Sequence, residues 1–174
     1  FQQSQAFFTR LTTTIRWANA GKQEITNIIH DSFGIPMQAC ELVAHYSRIP
    51  RTAKAFAEQT IWQRRMSGDT WEDSARTIAR LLKIDEHGMP LQFVDVLRAL
   101  GQKPIAKANL CIPARCEVEE LNAMVLPYLL DDFVGTGPLI GITSKGCALT
   151  KAGLKELDKR NIPHNGDGVL AEFL

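Results

Sequence analysis

One lysine lies where a reversal of the chain would hold it out into solvent. Residues 138–143 are rich in apolar and β-branched types, Ser144-Lys145-Gly146 is a polar turn sequence, and residues 147–149 can return as a second strand. A cation at the tip of such a β-hairpin is suited to contact a phosphate backbone, so Lys145 is a candidate nucleic-acid contact. Two alternatives stay open. The lysine can be an ordinary solvated turn residue, and such hairpins also contact proteins.

The cysteines and histidines do not have the spacing of a metal site. The four cysteines contain no Cys-x-x-Cys pair, and the four histidines are scattered along the chain. The two nearest cysteines, Cys111 and Cys116, have no histidine or second pair beside them at the spacing of metal ligands. We therefore expect reduced structural thiols and no metal.

The charge balance excludes one class of protein. The chain has 174 residues, 45% of them apolar, and a formal net charge of +1. A protein that coats nucleic acid over its whole surface would be far more basic, although a local basic face remains compatible with this charge. The length allows one domain or two small ones. No apolar run is long enough to span a bilayer and no signal-peptide pattern opens the chain, so we expect a cytoplasmic protein without a membrane partner.

Four segments of the first half carry the helical spacing of apolar residues. They run from Gly21 to Phe33, from Pro36 to Tyr46, from Pro50 to about Met66, and from Thr70 to Leu82. Gly34 and Pro36 provide a stop and a new start, Pro50 suits a first helical turn, and Thr70 with Asp73 forms an acidic variant of the capping box. These segments predict a compact helical unit.

Residues 11–17, ahead of these helices, alternate and are rich in β-branched types, which predicts a strand. A lone strand cannot satisfy its own backbone groups. It therefore indicates either a partner sheet before residue 1 or an extended linker. The chain begins without Met or a polar tail, from which we expect a piece of a longer protein.

The second half has the element order of a winged-helix module. After a joint at residues 85–88, the pattern predicts helices over 89–100, 105–111 and 117–130, then the hairpin, then a helix capped by Thr150. Five apolar residues are expected on the buried face of the third helix: Leu121, Met124, Val125, Tyr128 and Leu129. The same helix begins with Glu117, Glu119 and Glu120, which would repel phosphate. We therefore do not expect it to lie in a DNA major groove.

Four short motifs follow one another along the chain. They are Ser47-Arg48-Ile49-Pro50-Arg51-Thr52-Ala53, Ile84-Asp85-Glu86-His87-Gly88, Pro104 with Pro127-Tyr128-Leu129, and Thr143-Ser144-Lys145-Gly146 with Leu149-Thr150. In order and spacing they resemble motifs of the RuvB family of Holliday-junction branch-migration helicases, which are AAA+ ATPases. The family has Gly-Thr-Pro-Arg-x-Ala at the first motif and Thr-Pro-Arg-Gly at the last. The resemblance extends from about Arg10 to Leu157. It departs at Lys145, which replaces an arginine, and in several extra residues within 131–137.

The resemblance implies a mainly α fold, with a four-helix AAA+ lid-like domain followed by a winged-helix domain with a small β-hairpin. It implies the following domains: the end of a preceding, absent nucleotide-binding base domain at 1–17, the lid at 18–85, the winged helix at 86–160 and a C-terminal tail at 161–174. No Gly-x-x-x-x-Gly-Lys-Ser/Thr phosphate-binding loop occurs in the sequence. This piece by itself is therefore not expected to hydrolyse ATP.

For the full-length protein, the resemblance implies an ATP-dependent DNA helicase or translocase of recombination and repair. It implies ATP with Mg as the cofactor, no cofactor bound by this piece alone, and a homo-oligomeric ring. In such ATPases a lid arginine, sensor 2, contacts the γ-phosphate, and Arg51 stands in its place. Arg10 falls near the place of the arginine finger, which acts on the ATP of a neighbouring subunit. The alternatives are an exposed helix-start arginine for Arg51 and an ordinary strand-flanking arginine for Arg10.

The resemblance also implies that the wing contacts the backbone of double-stranded or branched DNA without reading its sequence. Lys145 is the first candidate for this contact, with Ser144, Thr143 and Lys151 as its neighbours.

Two other classes of function remain. The chain could be a non-enzymatic transcription regulator with a winged helix and a helical dimerisation domain, and a preference for one DNA sequence would indicate this. It could also be a protein-interaction module, and the absence of salt-dependent DNA affinity would indicate that.

Overall fold

The computed structural model describes residues 20–47, 49–131 and 137–165. In these residues the chain is mainly helical and carries one antiparallel sheet of two strands. The prediction of a mainly α fold is confirmed. The strand predicted at residues 11–17, and Arg10 beside it, lie outside the described residues.

The elements follow the predicted order. The first group is α1 (Lys22–Phe33), α2 (Met37–Tyr46), α3 (Pro50–Ser67) and α4 (Trp71–Leu81). The second group is α5 (Leu91–Leu100), a 3-10 turn (Lys107–Leu110), α6 (Cys111–Ala114), α7 (Val118–Glu120), a π-helical segment (Leu121–Val125), α8 (Leu126–Leu130), β1 (Ile140–Thr143), β2 (Gly146–Leu149) and α9 (Lys151–Asp158). Each group surrounds its own hydrophobic core.

The helices of the first group begin where the sequence signals predict. Pro50 occupies the first turn of α3, where its missing N–H is not needed. At the start of α4, the Thr70 hydroxyl accepts a hydrogen bond from the Asp73 backbone N–H at 3.1 Å. Thr70 therefore caps α4 as predicted, but the box is incomplete: Asp73 Oδ2 accepts from the Thr70 hydroxyl at 2.7 Å and not from the Thr70 backbone N–H.

The first core joins all four helices of its group. Its buried apolar members are Ile25, Ile29, Ile35, Ala39, Cys40, Val43, Ala44, Ala53, Phe56, Ala57, Ala75, Ile78 and Ala79. The rings of Tyr46 and Phe56 stack at 5.6 Å between α2 and α3. The spacing predicts Leu82 in this core, but its side chain is 44% exposed. Leu82 is the C-cap residue of α4, and Leu81 before it is also exposed, so the end of this helix lies outside the core.

The second core lies between α5, α8, the hairpin and α9. Its larger buried members are Phe93, Leu97, Leu100, Leu110, Leu121, Val125, Tyr128, Leu129, Leu139, Ile140, Leu149 and Leu157. The prediction that Met124 belongs to it is wrong, because this side chain is 61% exposed. The segment Leu121–Val125 is π-helical, and its i→i+5 hydrogen bonds give more than four residues per turn. Val125 therefore takes the next inward position after Leu121, and Met124 turns outward.

The second helix of this group begins later than predicted. Ile105, expected at its start, has an extended backbone that pairs with Cys147 of β2. The Ile105 N–H donates to the Cys147 carbonyl at 3.0 Å, and the Cys147 N–H donates to the Ile105 carbonyl at 2.8 Å. This pairing gives hydrogen-bond partners to the N–H and carbonyl of buried Cys147 on the side of β2 that faces away from β1. Helical structure starts only at Lys107.

The hairpin has the predicted strands and turn. Ile140 pairs with Leu149 at the base of the hairpin, and Thr143 pairs with Gly146 at its tip. Ser144 and Lys145 form the connection between the strands and are exposed. Ile142, on the outward part of β1, is 63% exposed although Ile140 is buried, so the tip of the hairpin projects beyond the core.

The first residues after α9 pack back on the second core. Ile162 contacts the apolar cluster, and the Asn165 N–H donates to the Gly101 carbonyl at 2.9 Å. The rest of the predicted tail, 166–174, lies outside the described residues. Among the helices that the structure describes, none is long and apolar enough to cross a membrane.

Candidate functional site

Lys145 is held in solvent at the hairpin tip by hydrogen bonds of the Thr143 side chain. The Thr143 hydroxyl accepts a hydrogen bond from the Lys145 N–H at 3.0 Å and donates to the Gly146 carbonyl at 2.8 Å. This hydroxyl is therefore committed to closing the turn. Within the described residues the Lys145 ammonium forms no ion pair, so its three donors are available to a phosphate group.

Lys151, a further predicted contact, lies at the other end of the hairpin. It is the first residue of α9 and is exposed. Leu149, two residues earlier, pairs at the hairpin base, which is three strand residues or about 10 Å from the tip. The structure thus brings Ser144 and Lys145 together at the tip and leaves Lys151 at the base.

Thr150 fixes the junction between the hairpin and α9. Its hydroxyl accepts from the Gly153 N–H at 3.2 Å, which caps α9, and donates to the Pro138 carbonyl ahead of β1. The Thr150 N–H also donates to the Leu139 carbonyl at 3.1 Å. One buried residue therefore links both strands of the hairpin to the helix that follows them.

Arg51 is exposed in the first turn of α3, in the other group of elements. This turn has no acidic side chain, and no side chain caps its free N–H groups. Lys54, one turn further on, is also exposed. A helix N-terminus with free amides and two nearby cations has the electrostatic character of an anion site. The adjacent Ser47 and Thr52 hydroxyls are 2.6 Å apart and brace the turn before the helix.

The carboxylates at the start of the third helix of the second group are exposed. Glu117 precedes α7 without forming a side-chain cap, and Glu119 and Glu120 point into solvent. Among the described residues none of the three forms a salt bridge. A negative helix start of this kind is unfavourable for an approaching phosphate backbone.

The cysteines are free thiols, and two are fully buried. Burial raises the pKa of the Cys40 thiol and, despite an opposing effect of Lys107, that of the Cys147 thiol. Burial also raises the pKa of Cys116, helped by Glu120 and opposed by a hydrogen bond with Gln92. These three thiols have the character of core residues rather than of reactive nucleophiles.

One charged group was missed by the sequence reasoning. Arg160, after α9, donates from Nε to Asp85 Oδ2 at 2.6 Å and from Nη1 to the Glu156 carbonyl at 2.9 Å and to its carboxylate. The three side chains are 6%, 13% and 11% exposed. The acidic character of the joint was visible in the sequence. Arg160 lies 75 residues after Asp85, and no local sequence pattern indicates that the two residues pair.

The described elements run in the order of a four-helix group, a joint, three helical segments, a hairpin and α9, and this fold has counterparts among known structures. In fold, the chain resembles RuvB of Thermotoga maritima. The structure described as the RuvB Holliday junction branch migration motor of that organism has a TM-score of 0.69 and 20% identity, with 87% of this chain and 53% of that chain covered. Two mutants of the same RuvB give TM-scores of 0.69 and 0.67 at 20% and 18% identity.

The likeness to RuvB spans both groups of elements, because 87% of 174 residues is about 151, more than either group contains. The chain covers only about half the length of these RuvB chains. No family model and no characterised relative matches the sequence. At this identity the likeness shows the fold.

Proposed function

We propose that this chain is the lid and winged-helix part of a RuvB-like AAA+ ATPase that acts on branched or duplex DNA in recombination and repair. The observation that carries the proposal is the fold likeness to RuvB, which extends over 87% of the chain. In this proposal residues 1–17 end a nucleotide-binding base domain, 18–85 form the lid, 86–160 form the winged helix and 161–174 the tail. The whole protein uses ATP with Mg, and its subunits form a ring.

The proposed nucleotide contact is Arg51. It is supported by the exposed position of this residue in the first turn of α3, where the helix amides are free and no acidic residue competes for the cation. A guanidinium stays charged at all physiological pH values and can donate two parallel hydrogen bonds to phosphate oxygens. Such a contact would let the γ-phosphate set the position of the lid. Arg10, the proposed arginine finger, would act on the ATP of the next subunit.

The proposed DNA contact is the tip of the hairpin. Lys145 and Ser144 would bind phosphate oxygens, Thr143 would keep the turn closed, and Lys151 would meet the backbone further along. These groups can recognise charge and backbone geometry but carry no pattern of base-edge donors and acceptors. The exposed carboxylates at Glu119 and Glu120 support a geometry in which the hairpin, and not the third helix, approaches the duplex.

The hairpin contact is tested by DNA binding of this chain over a series of salt concentrations. A duplex and a four-way junction of unrelated sequence are compared for the wild type, Lys145→Glu and the control Lys103→Glu, an exposed lysine elsewhere in the same group. We expect Lys145→Glu alone to weaken binding, with the slope of log K against log salt falling by about one. Unchanged binding would refute the contact. Preference for one sequence would favour the transcription regulator, and no salt-dependent binding would favour the protein-interaction module.

The nucleotide contact is tested in the full-length protein. Arg51→Ala should leave ATP bound but abolish its hydrolysis, because the γ-phosphate loses its lid contact. Arg65→Ala, an exposed arginine in the last turn of the same helix, is the matched control and should retain turnover. Normal hydrolysis by Arg51→Ala would exclude this residue as the phosphate sensor.

A further inference from the structure

The segment between the two groups of elements is a compact loop. The Asp85 N–H donates to the Met89 carbonyl at 2.9 Å, and the Leu91 N–H donates to the Lys83 carbonyl at 2.8 Å. Inside the loop, Asp85 Oδ1 accepts from the backbone N–H groups of His87 and Met89 at 3.0 and 2.8 Å. The connection is therefore wound on itself and does not have the open backbone of a flexible linker.

One side of this loop is held against α2. The carbonyl of Glu86 accepts a hydrogen bond from His45 Nε2 at 2.7 Å, which assigns the Nε2–H tautomer to this histidine whenever the ring is neutral. Gly88 has a φ of +81°, and a β-carbon at this residue would stand 2.0 Å from the His45 carbonyl oxygen. Only a glycine allows the two backbones to approach so closely.

The opposite side of the loop is held by Arg160, just after α9. Asp85 uses its second oxygen, Oδ2, to accept from Arg160, and Glu156 holds the same guanidinium from within α9. Burial disfavours the charged guanidinium, but the hydrogen bonds to both carboxylates and their attraction outweigh it, so the pKa of Arg160 lies above its ordinary value.

We propose that Asp85, Arg160 and His45 form a latch that holds the two hydrophobic cores as one rigid body, with Arg160 as its positioning residue. Two units with separate cores and a short connection normally move relative to each other. A buried ion pair contributes little stability compared with apolar packing, yet its hydrogen bonds are directional, so its main effect here is on orientation. If the proposed function holds, the latch keeps the hairpin tip at a constant position relative to the first turn of α3.

The latch is tested on this chain, without DNA or nucleotide, by residual dipolar couplings measured in a weakly aligning medium. In the wild type we expect a single alignment tensor to fit the amides of both cores. In Arg160→Gln and in Asp85→Asn each core should keep its own chemical shifts while the common tensor is lost. Arg98→Gln breaks an exposed ion pair with Asp95 inside the second group and is the matched control. It should keep one tensor.

His45→Ala provides a second variant that removes no buried charge. It cuts the hydrogen bond on the other side of the loop, so it should loosen the same joint even if Arg160→Gln fails to fold. Separate tensors for the two cores in the wild type, or one shared tensor in both Asp85→Asn and His45→Ala, would overturn the latch. Neither result depends on whether the hairpin binds DNA, so a failed latch and a failed proposed function are distinguishable.

Discussion

Gly146 lies so close to Ile105 that a β-carbon on the glycine would stand 2.5 Å from the Ile105 carbonyl oxygen. The two residues meet because the backbone of Ile105 pairs with Cys147, immediately after the hairpin turn. Gly146 also has a φ of +118°, which side chains rarely tolerate. The position of the hairpin tip therefore depends on the absence of a single methyl group.

Gly146→Ala is expected to destabilise the chain by about 3 kcal/mol, since backbone strain and a steric overlap act together. The free energy of unfolding from urea titration measures this loss. Gly68→Ala is the matched control. This glycine has a φ of +76° but no atom within 4 Å of the added carbon, so only the conformational cost of about 1 kcal/mol applies. Equal losses in the two variants would show that the contact with Ile105 has no effect.

Thr150→Ala removes the hydroxyl that links the hairpin to α9. The variant loses the cap on the Gly153 N–H and leaves the Pro138 carbonyl without its side-chain donor. Because Thr150 is 4% exposed, water replaces these bonds poorly, and we expect a loss of about 2–3 kcal/mol in the free energy of unfolding.

Two variants check this assignment. Thr150→Ser keeps the hydroxyl and should lose only about 1 kcal/mol, the contribution of the buried methyl group. Thr70→Ala removes the exposed cap of α4, which has water as a substitute partner, and should also lose about 1 kcal/mol. A Thr150→Ser variant as unstable as Thr150→Ala would contradict the role of the hydroxyl.

Local chemistry explains why most elements could be predicted from the sequence. Proline at the start of α3, threonine at the starts of α4 and α9, and the polar turn at Lys145 each act over a few residues, so their effect is visible without tertiary structure. Lys145 was found in this way. Arg51 was found only through the family resemblance, because an arginine in the first turn of a helix has no distinctive pattern of its own.

Two of the differences involve pairings that are distant in sequence, and a third involves a change of helical period. Met124 follows the spacing of an α-helix, and nothing local indicates the π-helical turn that moves it outward. Ile105 adopts an extended backbone to pair with Cys147, a partner 42 positions later in the chain (147 − 105). Arg160 contacts Asp85 in the joint, 75 positions earlier in the chain. A single sequence contains no record of such pairings.

Cys147 predicts how stability depends on pH. Its side chain is fully buried, and burial raises the thiol pKa above the ordinary value of 9.0. Above about pH 9 the unfolded thiol loses its proton while the folded one keeps it, so the folded state binds more protons and stability falls as pH rises. The stabilising effect is complete below the unfolded pKa and disappears as pH passes through the folded pKa. In Cys147→Ala the decline should be shallower by up to roughly 1.4 kcal/mol per pH unit in that window.

Val96→Ala, a buried truncation in the same core without a titratable group, should lower stability at every pH and leave the slope unchanged. Urea titrations between about pH 7 and pH 10.5 supply both slopes, and a Cys147→Ala slope equal to that of the wild type would show that this thiol does not ionise differently on unfolding.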